Sequence, residues 1–261
     1  MASIEKTRAV VEAGETYDGK ILPTVKAEIN RPVRIYENAT VDGSVYGETV
    51  TLEGGTVEGS IMASESIEFD GGAVHGEVGT DGKVVGSAVK IHGTVTGKRV
   101  RLQDAVVLGN VVGADVILEN CAVIGIVTAE RNLTIDDGLC YTFKSYGQTK
   151  LTDAATVLPQ AIVEGEIELT TPVSVTGLGK LEIENADLPQ MDETDIISVD
   201  DSTYLSLSPR ILNLEKVTDR LDELEKALQR VVTASSADEV PATKEMLEIL
   251  GVDDSQYPDV V

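Results

Sequence analysis

Two histidines, two cysteines and one glycine-rich stretch are the residues of this chain best suited to chemistry. His75 and His92 stand 17 residues apart, each in the phrase Val/Ile-His-Gly. Imidazoles could share a metal ion or relay a proton. A zinc site built on imidazole alone needs three of them, and the chain has two. Both are therefore expected at exposed corners, stacked on one outer face. Cys121 and Cys140 form no Cys-x-x-Cys pair, so neither a zinc knuckle nor a disulfide framework is expected, only buried reduced thiols. The stretch from Gly14 to Lys20 matches the spacing of a phosphate-binding loop. Ile21 stands where a metal-binding hydroxyl is required, and Leu22-Pro23 does not start a helix. Asn38 and Asn132 head glycosylation triplets that no secretion signal accompanies. Gly177-Leu-Gly179 is too short to signify. Carboxylates are plentiful but diffuse. No nucleophile, base and orienting group can be assembled. Catalytic, metal and cofactor sites are therefore all expected to be absent, and the chain is expected not to be an enzyme.

Any such residue must be held by a scaffold, and the scaffold is written as a repeat. Val41, Val57, Val74, Ile91, Val107 and Val123 follow one another at gaps of 16 or 17. A second column runs through Val45, Ile61, Val78, Val95, Val111 and Val127, and a third through Val50, Ile67, Val84, Val100, Val116 and Leu133. Leu52, Phe69, Leu102, Leu118 and Ile135 make a fourth, broken at Gly86. Two residues after each member of the first column stands Gly43, Gly59, Gly76, Gly93, Gly109 or Gly125. Three short apolar clusters per turn, with one glycine, describe a triangular coil. Alternate residues of each strand point inward, and stacked coils bury like residues in columns. The glycines are read as corner residues with positive φ. The fold expected is an all-β parallel β-helix of three short faces, with 16–17 residues per coil. No proline lies between 33 and 158, as a ladder that needs every N–H requires. The absence of Trp and the presence of only two Phe suit a narrow aliphatic interior.

The expected organisation is an N-terminal tail over 1–22 and a solenoid over 23–185, regular between about 33 and 151. An acidic linker over 186–207 and a helical region over 208–261 follow. Val25, Ile29, Val33 and Ile35 would form the first coil, and Leu181 and Ile183 the last, nine or ten coils in all. These six are the expected assembly surface, because a solenoid ends in unpaired backbone groups. Ser208 and Pro209 start a helix. Leu214, Val217, Leu221, Leu224, Leu228 and Val231 then fall at spacings of 3 and 4, a heptad seam. That seam either packs on the solenoid or forms an intermolecular coiled coil. A second short helix is expected over 243–250.

The charge excludes some partners. Asp and Glu number 45 and Lys and Arg 21, a net charge of −24. Such a surface repels nucleic acid and anionic membranes. The composition is similar to that of halophilic proteins. Without an apolar signal core or a run of about 18 apolar residues, the expected compartment is the cytoplasm.

The phrases VDGSV, VEGSI, VHGEV and VLGNV alternate with VTL, IEF, VRL and VIL. Over residues 30 to 151 this resembles the bactofilins, and with the acidic composition an archaeal bactofilin-like halofilin. The resemblance implies a right-handed β-helix and a polymer-forming cytoskeletal protein that assembles end to end without nucleotide. It also implies a role in cell shape at the cell cortex, with self or a related cytoskeletal protein as partner and membrane contact only through a partner. Bactofilins usually end in short disordered tails, whereas this chain continues into a helical region, which fits a capping or accessory member. Two alternatives come from other classes. One is a β-helix enzyme of the acyltransferase or carbonic-anhydrase type, which favours 18-residue coils or three histidines. The other is a carbohydrate-binding β-helix, which favours uneven coils and an aromatic or basic groove.

Overall fold

Alternation with period two over short β-branched runs demands strands, and a computed structural model shows them stacked as a parallel β-solenoid of about seven turns, with one short helix near the C-terminus among the described residues. It describes residues 3–5, 7–23, 31–156, 162–165, 167–174, 178–181, 196–199, 202–206 and 221–234. From coil to coil the strand pairing is parallel: Val33 beside Val50, Val50 beside Ile67, Ile67 beside Val84, Val84 beside Val100, Val100 beside Val116. Every member of the three aliphatic columns is at most 1% exposed. Each buried aliphatic side chain gains roughly 1.5–3 kcal/mol, and ordering the chain offsets most of that sum. The fourth column lacks a side chain at Gly86 because a Cβ there would lie 2.4 Å from the Cβ of Phe69, one coil earlier.

The glycine column is a stack, but positive φ is not its cause. Gly43 has φ 158, nearly extended, and the other five do not adopt the left-handed conformation. They are glycines because the backbones touch. A Cβ on Gly93 would come 2.4 Å from the carbonyl oxygen of Gly76, and one on Gly109 or Gly125 equally close to the oxygen of the glycine one coil earlier. The left-handed corner lies elsewhere. Asn38 (φ 57), Gly54 (70), Gly71 (79), Ala88 (51), Asp104 (50), Asn120 (49) and Asp137 (48) recur at the coil period. All but Ala88 are residue types that tolerate this conformation. Asn120 Nδ2 donates to Asp104 Oδ1 at 2.7 Å, tying two of these corners together.

Residues 9 to 21 are a coil of the solenoid and not part of a tail. Ala9–Val11 pairs with Val33–Ile35, Thr16–Asp18 with Thr40–Asp42, and Ile21 bridges Val45. This coil is 24 residues from the next on the Ala9–Val33 step, which hides it from a period of 16 or 17. Arg31, 6% exposed, holds the junction: Nη1 donates to the Glu5 carbonyl at 2.7 Å and Nη2 to the Leu22 carbonyl at 2.9 Å. Val33 and Ile35 consequently lie inside the rod, 1% and 0% exposed. Ahead of them, Ser3–Ile4 runs antiparallel to Ala9–Val11. Val25, Ile29 and Ile183 lie outside the described residues.

At the other end, Thr149 and Leu151 pair with Ile167 and Leu169, and the register slips between Thr152 and Ala154, opposite the stretch that holds Pro172. A proline tolerated at a bulge is the expected exception. The segment read as an acidic linker contains a hairpin. Ile196–Val199 and Ser202–Ser206 pair antiparallel, and the second strand pairs with Leu178–Leu181. Its Ile, Val, Tyr and Leu are strand formers that the surrounding carboxylates disguise. The solenoid thus meets an antiparallel strand at each end.

Two substitutions separate the glycine stack from the turning corner. Gly93→Ala is expected to cost more than about 1 kcal/mol through overpacking against a backbone oxygen, and Ala88→Gly to leave the melting temperature unchanged or higher. Thermal unfolding of both variants checks this. An unshifted Gly93→Ala would remove the steric account.

Candidate functional site

Because the coils are in register, residues one period apart share a surface spot. Glu58, His75 and His92 follow Val57, Val74 and Ile91, and their backbone N–H groups step down the same ladder. The two imidazoles stack with centroids 4.6 Å apart and planes inclined by 15°. His75 Nδ1 lies 3.0 Å from Glu58 Oε2. This is the corner stacking expected from the sequence. Among the described residues no three His, Cys, Asp or Glu side chains are placed to hold one metal ion. His92 is held below its ordinary value, first by partial burial, then by the neighbouring His75 and Lys90, with Glu58 acting in the opposite sense.

Both thiols are buried. Burial pushes each up to about 12, and Cys121 Sγ donates to the Leu102 and Glu119 carbonyls at 3.3 Å. Thiolate chemistry is closed to them. Gly14 is a left-handed corner residue and Thr16–Asp18 is a strand, so the stretch resembling a phosphate loop is an ordinary coil. Asn38 is another corner, and Asn132 Nδ2 donates to Asp115 Oδ1 at 2.7 Å. An open groove lies over Gly79, where a missing side chain leaves a notch between Met62 and Thr96, edged by Glu77 and Asp81.

The feature that sequence reasoning left open is the docking of the helix α1 (Leu221–Thr233). In the face that carries Ile91, Val107 and Val123 inward, the alternate residues point outward: Lys90, Val106 and Ala122, with Leu139 next at the coil period. Outward residues of a rod should be exposed, yet Val106, Ala122 and Leu139 are 0%, 2% and 3% exposed and stand outside the central core. The same holds for Ala227, Val231 and Ala234 of the helix. The helix contacts the sheet at the strand that holds Ala122 and Leu139. Lys90 Nζ donates to the Val232 carbonyl at 3.1 Å, a cation on the carbonyl end of a helix. The described part of α1 therefore lies on the flank of the rod.

Ala227, Val231 and Ala234 fall 4 and 3 apart, on one face of a helix that turns about 100° per residue, and Val231 belongs to the heptad seam as well. Two alanines let a helix approach a flat strand surface closely. Leu221, Leu224 and Leu228 are within the helix, and Leu214, Val217 and the second helix expected over 243–250 lie outside the described residues. Signals for the patch were present: Val106, Ala122 and Leu139 are apolar at positions where the columns call for polar residues. Among the described residues no helix is long and apolar enough to cross a membrane.

No protein-family model matches this chain, no curated protein matches its sequence, and no solved structure matches its fold.

Two outcomes follow from this geometry. Val231→Asp places a charge in the helix–rod contact, and is expected to leave the β signal intact while raising proteolysis beyond residue 206 and the binding of an apolar dye; unchanged digestion would count against the docked helix. For His92 the sign runs as pKa linkage requires. The folded state resists the proton, so the unfolded chain, titrating near about 6.5, takes it first as pH falls. Stability present above about pH 6.5 is lost below it. His92→Gln is expected to flatten the decline of melting temperature between about pH 7 and about pH 5, and an equal slope in both proteins would show that the stacked ring carries no such linkage.

Proposed function

We propose that this chain is a non-enzymatic structural protein of the bactofilin-like kind, which associates with copies of itself or of a related cytoskeletal protein and scaffolds cell shape. The observation that supports this reading best is the parallel coil-on-coil strand pairing that runs from Ala9 to Ile167. One coil shape repeated along one axis gives a surface that repeats too, and such a surface suits extended or repeating partners. The stacked histidines and buried thiols are accounted for by packing, which leaves the repeating surface as the chain's main chemical resource. The V-x-G-x-V/I phrases support the same class. The antiparallel strands at Ser3–Ile4 and Ser202–Ser206 favour the capping or accessory role within it, because they stand where the next parallel coil of a plain end-to-end polymer would add.

Light scattering and electron microscopy of the full chain test this. Between about 0.02 M and about 0.5 M salt the range of repulsion falls from tens of ångströms to a few, so bodies of charge −24 can approach. Particle mass is expected to rise at least twofold, to short rods of limited length. A monomer at every salt and protein concentration would overturn self-association, and unlimited filaments would overturn the capping role.

A further inference from the structure

Charge is unevenly spread along the rod. Residues 82 to 103 hold five Lys and Arg and no Asp or Glu, in a chain of net charge −24. Parallel register sets Lys83 directly beside Arg99, with Arg101 two residues along on the same face. Lys83 is neutralised by Glu68 at 2.7 Å, and Arg101 by both oxygens of Glu119 at 3.0 and 3.3 Å. Lys98 and Arg99 are exposed on the same strand and form no ion pair among the described residues. Two adjacent cations on a strongly acidic body are thus left open.

The sequence contains one stretch of matching length and opposite sign. Of the residues from 182 to 201, eight are Asp or Glu and none is Lys, Arg or His. We propose that this acidic stretch of one copy docks on the basic coil around Lys98 and Arg99 of a second copy, joining two rods side by side with an axial offset. The inference rests on the self-association proposed above and names its surface. A single copy does not easily satisfy the pairing. Leu181 and Ile196 belong to strands that bound the fourteen residues between them, so a taut out-and-back loop reaches about 25 Å. The basic coil lies roughly five coils back along the rod, about 24 Å at the strand spacing. Only the tip of the loop could touch it, whereas a neighbouring rod, slid along the axis, sets the whole stretch against it. Contact pairs near 3 Å act inside the Debye length at which long-range repulsion has already been screened. Self-association is therefore expected to peak at intermediate salt and to fall again above about 1 M.

The test uses full-length protein throughout. Lys98→Glu/Arg99→Glu is expected to lose the intermediate-salt rise in particle mass. Mixing it with a full-length Asp192→Lys/Glu193→Lys copy should restore mixed dimers. Separately, Arg99→Cys and Asp192→Cys chains carrying different tags are mixed and treated with a short thiol crosslinker; buried Cys121 and Cys140, at about 12, stay silent. A crosslinked pair bearing both tags supports the proposal. A charge-reversed variant that assembles like the parent overturns it while leaving self-association standing. A doubly substituted Arg99→Cys/Asp192→Cys chain that links only within one copy overturns it in favour of a folded-back loop. A parent that never exceeds monomer mass overturns both readings.

Discussion

Whatever stands at one position of a coil has as its neighbour, about 4.8 Å away, the residue one turn later. Most of the architecture follows from that spacing. An inward position must be aliphatic in every coil, because one large or polar member would disturb the two beside it, and the three columns hold Val, Ile or Leu throughout. Where the backbone itself is the closest part of the neighbour, no side chain fits, which is the condition at the stack from Gly43 to Gly125. Beside that stack, side chains take over part of the ladder. Ser44 Oγ accepts the N–H of Ser60, Ser60 Oγ that of Glu77, and Asn110 Oδ1 that of Ile126. Backbone donors at a turn that breaks a strand are thereby satisfied one coil away.

The same spacing governs charge. Like charges in one column are close neighbours, and the surface relieves them diagonally. Lys83 is paired with Glu68, Arg101 with Glu119 and Arg131 with Asp115. Exposed pairs of this kind contribute roughly 0–1 kcal/mol each. Their larger effect is on where the rod presents cations. With 45 acids and 21 bases, even a few local pairings leave most of the surface negative, so the short basic stretch stands out for any approaching body. The imidazole rings of His75 and His92 stack by the same spacing, with centroids 4.6 Å apart.

The aliphatic columns were legible in the sequence because each position repeats with the same residue class, and they located the core, the parallel register and the stacked histidines. Other features obeyed the same period but were spelled in mixed residue types. The left-handed corner reads Asn, Gly, Gly, Ala, Asp, Asn, Asp, a set united by tolerance of one backbone conformation and not by polarity. It could have been found by searching the period for Asn, Asp and Gly together. The uniform glycine column attracted that role instead, although its cause is contact. The first coil was hidden by the long step from Ala9 to Val33, and the terminal hairpin by its setting among carboxylates. Local composition outweighed alternation there.

The outward row of Val106, Ala122 and Leu139 shows what a repeat does not dictate. Nothing in coil stacking requires apolar residues there; Lys90 in the coil before is polar. Three successive coils instead present apolar residues of different size at one outward position, and α1 brings Ala227, Val231 and Ala234 to the region, with small residues on either side of one Val. A flat sheet row and a helix can come close only where at least one partner lacks bulk. The alanines provide that. Docking also uses a mid-rod surface and leaves the ends to antiparallel strands, so cover at the ends and cover on the flank are separate devices. A helix lying over one outer row of three coils narrows lateral approach on that side of the rod. Arg99 belongs to a different face, the one that runs from Arg99 to Gln103 beside Lys83–Ser87, with Lys98 just before it, and both side chains are exposed with the helix in place.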